Sequence, residues 1–161
     1  MKSLVLPDEV YSPDQLSTAV FELNDYQNAL RDQVARARSK TKSNIDAPEP
    51  SALLQAILNA IDAKNIDPNG LDDLRSALEE ILKKSCTAHL ILAAMPSMVI
   101  KKKLTNWFRQ EISPNMLITF SVRSDIGGGA ILRTGSRIYD FSFRNLLIAN
   151  KSKLAEIANR V

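Results

Sequence analysis

The chain has 161 residues, 45% of them apolar and 24% charged, which suits one ordinary folded domain or a small domain with a helical annex and argues against disorder throughout. Its net charge of +3 is unevenly divided: residues 1–82 carry 8 Lys/Arg against 14 Asp/Glu, and residues 83–161 carry 13 against 4. No apolar run approaches the ~20 residues of a membrane span, the opening MKSLVLPDEV has too short an apolar patch for a signal peptide, and the single cysteine excludes an internal disulfide, as suits a reducing cytoplasm.

Residues 12–38 read as one long helix. Ser12 is a natural N-cap, Pro13 suits the first helical position, and Gln15 completes a capping-box pattern. Leu16, Val20, Leu23, Leu30 and Val34 repeat at heptad-like spacing with Gln27 as a polar interruption, and this stripe needs burial against the next two helices or against a partner helix. Residues 39–50, with two prolines and few apolar anchors, form the candidate linker. Ser51 caps a second helix over 52–65, residues 67–70 make a turn, and a third helix runs over 71–84, giving a helical hairpin.

From Cys86 the period changes. Residues 88–95 are apolar apart from His89 and stop at Pro96, as expected of a strand covered on both faces. Residues 97–111 return to helix, with Val99, Ile100, Leu104, Trp107 and Phe108 apolar and Lys101, Lys102, Lys103 and Arg109 turned outward; Trp107 and Phe108 are expected in the core. Residues 116–125 alternate as a second strand, so strand, helix and strand predict a parallel βαβ unit. Residues 130–133 and 137–139 pair as a hairpin around Gly135-Ser136, and residues 141–158 form the closing helix. The fold class is α+β: a helical region of about three helices (1–84), then a small βαββα-type domain with a mixed sheet (85–161).

The chemistry-bearing candidates are few. Gly127-Gly128-Gly129 is followed by a strand and lacks the Lys-Ser/Thr of a phosphate loop, so a sharp reversal needing positive φ accounts for it better. His89 and Cys86, the only histidine and cysteine, have no partners at ligand spacing; they read as a satisfied histidine and a small buried residue at a strand start. The Lys101-Lys102-Lys103 run is a solvated helix face or, without an RNA-binding or helix-turn-helix signature, a weak nucleic-acid contact. Asp140 or Ser142 caps the last helix, while Arg144 in its first turn is free to meet a partner. No base–nucleophile pair, metal set or cofactor motif stands out, so neither catalysis nor a cofactor is expected. The charge division suggests halves that face different partners, the basic one an acidic partner, or halves that attract each other.

The order of these features in the last half of the chain is informative. A strand ends in Ala-Met-Pro, a helix follows, and a strand runs into Asp125, Ile126, Gly127 and Gly128; then come Gly135, Ile138, Asp140, Ser142, Arg144 and Leu146. Over residues 86–154 this resembles the C-terminal domain of the delta subunit of F-type ATP synthase, the oligomycin-sensitivity-conferring protein family. Phe141 and Asn145 stand where that family often has small residues, and the three helices before residue 85 are fewer than its N-terminal bundle contains. The resemblance implies a non-catalytic brace of the peripheral stalk that supports proton-driven ATP synthesis. It further implies contact with the stalk b subunits and the alpha subunits of the catalytic head, and peripheral association with the cytoplasmic face of the cell membrane. Asp125, Gly127, Gly128, Gly135, Asp140 and Ser142 would then be structural, with Lys101, Lys102, Lys103 and Arg144 toward the partner. The competing reading is a small basic RNA- or ribosome-associated α/β protein, on the strength of the basic half and the βαββα order.

Overall fold

The computed structural model describes residues 4–38, 49–61 and 68–151. Helices α1 (Pro13–Arg38), α2 (Ala52–Ala60) and α3 (Pro68–Lys84) come first. They are followed by β1 (Thr87–Leu92), α4 (Met98–Glu111), β2 (Leu117–Val122), β3 (Ala130–Thr134), β4 (Arg137–Asp140) and α5 (Phe143–Ala149). The architecture is α+β, helices first and a small mixed sheet after. Most of the candidate linker, residues 39–48, lies outside the described residues, as do residues 62–67 and everything beyond 151.

The start of α1 follows its capping box. Gln15 Oε1 accepts from the backbone N–H groups of Tyr11 and Ser12, and Ser12 Oγ accepts from Gln15 N. The apolar stripe of α1 is buried within the chain: Leu16, Ala19 and Leu23 share a core with Leu54 and Ile57 of α2 and Leu71, Leu74 and Leu78 of α3. Gln27 does not interrupt this packing, for it is only 1% exposed, whereas Val34 near the far end of α1 is exposed. Ser51 caps α2 by accepting from Leu54 N, and its own hydroxyl bonds Glu22 of α1. The turn expected at 67–70 is different: Pro68 through Gly70 already belong to α3, because a proline in the first helical turn withholds an N–H that would have no intrahelical acceptor.

The sheet order is β2-β1-β3-β4. β1 lies parallel to β2 with Leu90 opposite Phe120, and antiparallel to β3 with Leu90 opposite Leu132. β3 and β4 form the hairpin, closing at Thr134 and Arg137 around Gly135, which has φ +52°. β1 stops at Leu92, three residues before the expected end, where its partners stop at Val122 and Ala130. Alternation then assigns the two faces. Ala88, Leu90 and Ile118 pack with Phe108 of α4 on one side, while Ile91 and Ile131 pack with Ile126 on the other. Leu117 lies on the second side and is part of the helical core, so one strand residue belongs to both regions.

Three expectations for residues 86–111 need correction. Cys86 is exposed, because it occupies the connection ahead of β1 and contributes only its carbonyl, which accepts from Leu117 N. Trp107 is 52% exposed, and Val99 and Ile100 also face outward at 64% and 49%. Conversely, Lys101, Lys102 and Arg109 are half-buried. A helix lying on a sheet can turn only one stripe inward, and here that stripe contains Leu104, Thr105 and Phe108.

Candidate functional site

Two constructions stand out: a clamp at the root of α5, and a strap formed by the first described residues. In the clamp, residues 127–129 all take positive φ, at +69°, +145° and +74°. A Cβ on Gly128 would stand 2.6 Å from the Phe143 ring, and one on Gly129 would stand 2.2 Å from the Phe141 carbonyl oxygen. These two glycines therefore provide the space in which the segment leading to α5 lies. Phe143 N donates to Gly128 O at 3.1 Å and Phe141 N to Ala130 O at 2.9 Å, fastening that segment by its backbone. Gly127 has open space around it and serves the reversal alone.

Charge and capping complete the clamp. Arg123 holds Asp125 with two hydrogen bonds, at 2.9 and 2.6 Å, and Arg144 of α5 reaches the same carboxylate at 3.2 Å. The Arg123 hydrogen bonds, and then the two guanidinium charges, hold the Asp125 carboxyl below its ordinary value. Ser142 is the N-cap of α5, accepting from Asn145 N at 3.2 Å. Asp140 acts one step earlier, accepting from Ser142 N at 2.9 Å, and hydrogen bonding from Ser142 depresses its pKa as well. Asn145 closes the loop by donating to Asp140 O at 3.3 Å. The expected helix start at 141 thus shifts to Phe143, since residues 140–142 are spent on the cap.

What this clamp presents is apolar. No residue of α5 is buried, and Phe143, Leu146, Leu147 and Ile148 are all exposed, as are Ile138 and Phe141 beside them. All four residues of β4 are exposed too. Contiguous apolar surface of this kind marks a contact site more often than chance exposure does.

The strap was not evident from the sequence. Arg109 donates to the carbonyls of Leu6 (3.0 Å), Pro7 (3.2 Å) and Val10 (2.5 Å), and its Nε reaches Met116 O at 3.3 Å. Desolvation lowers its pKa, and the Asp8 charge works against that. Asn115, at φ +59°, pairs with the strap like a short strand: its Nδ2 donates to Leu4 O at 2.7 Å and its Oδ1 accepts from Leu6 N at 2.8 Å. Ile118 N donates to Tyr11 O at 2.6 Å, covering part of the free edge of β2. Alternating Leu4, Leu6 and the Ser113-Pro114-Asn115 turn were the available signals, but neither names its partner.

The three lysines separate here. Lys101 Nζ sits 5.6 Å from the Tyr11 ring and 5.7 Å from the Phe120 ring, a cation–π arrangement. Lys102 pairs with Glu9 at 2.7 Å; that hydrogen bond raises the lysine's pKa and lowers the glutamate's. Lys103 is exposed, without an ion pair among the described residues. His89 Nε2 meets Ser121 Oγ at 2.7 Å, a contact between neighbouring strands that sequence spacing concealed. No carboxylate among the described residues bonds His89, so the contact satisfies a half-buried imidazole without forming a triad. Among the described residues no three His, Cys, Asp or Glu side chains gather as metal ligands, and no helix is long and apolar enough to cross a membrane.

No protein-family model matches the chain, and no curated protein matches it.

Proposed function

We propose that the chain is a non-catalytic delta-type subunit of F-type ATP synthase, which braces the catalytic head against the peripheral stalk and so supports proton-driven ATP synthesis. In this reading it sits at the cytoplasmic face of the cell membrane through the complex, and it binds the stalk b subunits and the alpha subunits of the head. One observation carries the proposal: the residues of the resemblance, Asp125 to Gly128 and Asp140 to Arg144, meet in a single clamp that holds out an apolar helix. A brace must grip a neighbour without chemistry. A rigid root and an unburied apolar helix meet that need, since an amphipathic partner helix can cover the surface.

The test is capture from native membranes at low ionic strength with the full chain as bait. Recovery of b and alpha subunits, reduced by Leu146→Asp with Leu147→Asp, supports the reading. Recovery of RNA or ribosomal proteins in place of rotary-motor subunits, with steep salt dependence, sinks it in favour of the nucleic-acid alternative.

A further inference from the structure

We infer that the groove between α4 and residues 113–118 is a recognition site for an acidic peptide segment of a partner protein, and that the strap of residues 4–11 occupies it in cis. The groove runs along the β2 edge of the sheet, the edge opposite β4. The inference stands whether or not the rotary-motor reading holds.

The strap is held as a bound peptide is held, largely by its main chain. Asn115 takes Leu4 O and Leu6 N with its two amide atoms, at 2.7 and 2.8 Å. From Pro7 to Val10 the strap turns, with Val10 N donating to Pro7 O at 3.1 Å. Arg109 gathers the carbonyls of Leu6, Pro7 and Val10 around that turn, and Ile118 N closes the groove on Tyr11 O. Contacts of this kind read shape and accept any sequence that adopts it.

Side chains supply the selection. Leu6 and Val10, 2% and 0% exposed, enter the helical core, whereas Val5 is 66% exposed. Asp8 and Glu9 stand at the tip of the turn, where Asn106 Nδ2 donates to Asp8 at 2.8 Å and Lys102 pairs with Glu9 at 2.7 Å. The α4 side chains that bond the strap are therefore two cations and an amide, with no carboxylate. The ligand this describes has an apolar residue, a turn carrying two adjacent acids, and a second apolar residue.

Two observations mark the strap as a replaceable occupant. It does not fill the groove: a cavity of about 240 Å³ remains between Val5 and Asp8 on one side and Asn106, Gln110 and Pro114 on the other. Among the described residues, a single backbone–backbone hydrogen bond, from Ile118 N to Tyr11 O, fastens the strap to the sheet. Its other polar contacts are to half-buried or exposed side chains, which water or another peptide can take over one at a time. Tethering gives the strap an effective concentration of about a millimolar, so a partner segment enters when the strap is weakened.

The probes are a fluorescent peptide of residues 4–12, LVLPDEVYS, and its twin with lysine at both acidic positions. In the full chain, Asp8→Lys with Glu9→Lys weakens the strap and leaves the groove and both apolar anchors unchanged. This variant should bind the acidic peptide with saturable anisotropy, about tenfold more tightly than the unaltered chain does, and should not bind the twin. Lys102→Glu should reverse the preference, favouring the twin about fivefold, an exchange that a merely structural lysine does not produce. Equal binding of both peptides, or binding of neither, overturns the inference. So does self-association of the strap variant without peptide, which assigns the groove to a second copy. Hydrogen exchange of the unaltered chain gives an independent reading. The Leu6 and Ile118 amides, bonded across the groove, should exchange about tenfold faster than that of Leu117, which is bonded to Cys86 O ahead of β1. Equal rates would mean that the strap leaves only when the fold does, and would overturn the inference even if the variants fail to fold.

Discussion

The helical region and the far end of the sheet treat apolar residues in opposite ways. In α1, α2 and α3 the apolar stripes meet each other, and Leu16, Leu23, Leu54, Ile57 and Leu78 are almost wholly removed from water. In β4 and α5 the apolar residues stay outside, and order comes from backbone hydrogen bonds, glycine geometry and caps. A stripe buried within its own chain secures the fold. An apolar helix held out by a polar root costs the isolated chain solvation free energy, and that cost makes sense where a partner relieves it. Between the two stands Leu117, a strand residue in the helical core, together with the strap of residues 4–11.

The largest effect expected is at that junction. Leu117→Ala should destabilise the chain by about 4 kcal/mol in urea unfolding and loosen α1 and α3 amides together with those of β2. Faster exchange confined to the sheet would break the idea of a shared core. Gly129→Ala follows, at about 3 kcal/mol, since its Cβ would meet a backbone oxygen; hydrogen exchange should rise in α5 while α1 stays protected. Arg109→Met should cost about 2 kcal/mol by leaving strap carbonyls without donors, and limited proteolysis should then cut within residues 4–11. Gly127→Ala, with the same sign of φ but open space, should cost only about 1 kcal/mol, measured in the same urea series.

The smallest effects are electrostatic and pH-dependent. Asp125 and Glu9 both have depressed pKa values in the folded chain. Their contribution is therefore complete above the ordinary carboxylate range and is lost as pH falls through the depressed values. Lys102, raised by Glu9, adds a contribution present below its ordinary value and lost only as strongly alkaline pH passes the raised one. Acid titration followed by exchange at α5 should show wild type loosening below about pH 4, with Asp125→Asn already loosened at neutral pH and less acid-sensitive across that range, its remaining sensitivity coming from Asp140. Equal acid sensitivity of the two proteins would remove Asp125 from the clamp.

Much of this was legible from local pattern. The capping box of Ser12 and Gln15, the Gly135 hairpin, the Ser142 cap and the parallel β1–α4–β2 unit are each set by a few neighbouring residues, and each formed. Asp125, Gly128 and Asp140 were singled out only by their order along the chain, which carries the resemblance. Their joining was not legible: Asp125 meets Arg144 across 19 positions, and no local rule pairs them.

Sequence by itself determined the elements and the sense of their periodicity, because helix and strand patterns are dictated by side-chain direction over a few residues. It placed Trp107 with Phe108 on the inward face of α4, whereas only Phe108 is buried. Only the tertiary structure decided that, by giving one sector to the sheet and another to a strap that Arg109 and Asn115 reach across about a hundred positions. The physical reason is that burial is a competition for limited contact area between distant segments, and its outcome depends on which surfaces meet in space.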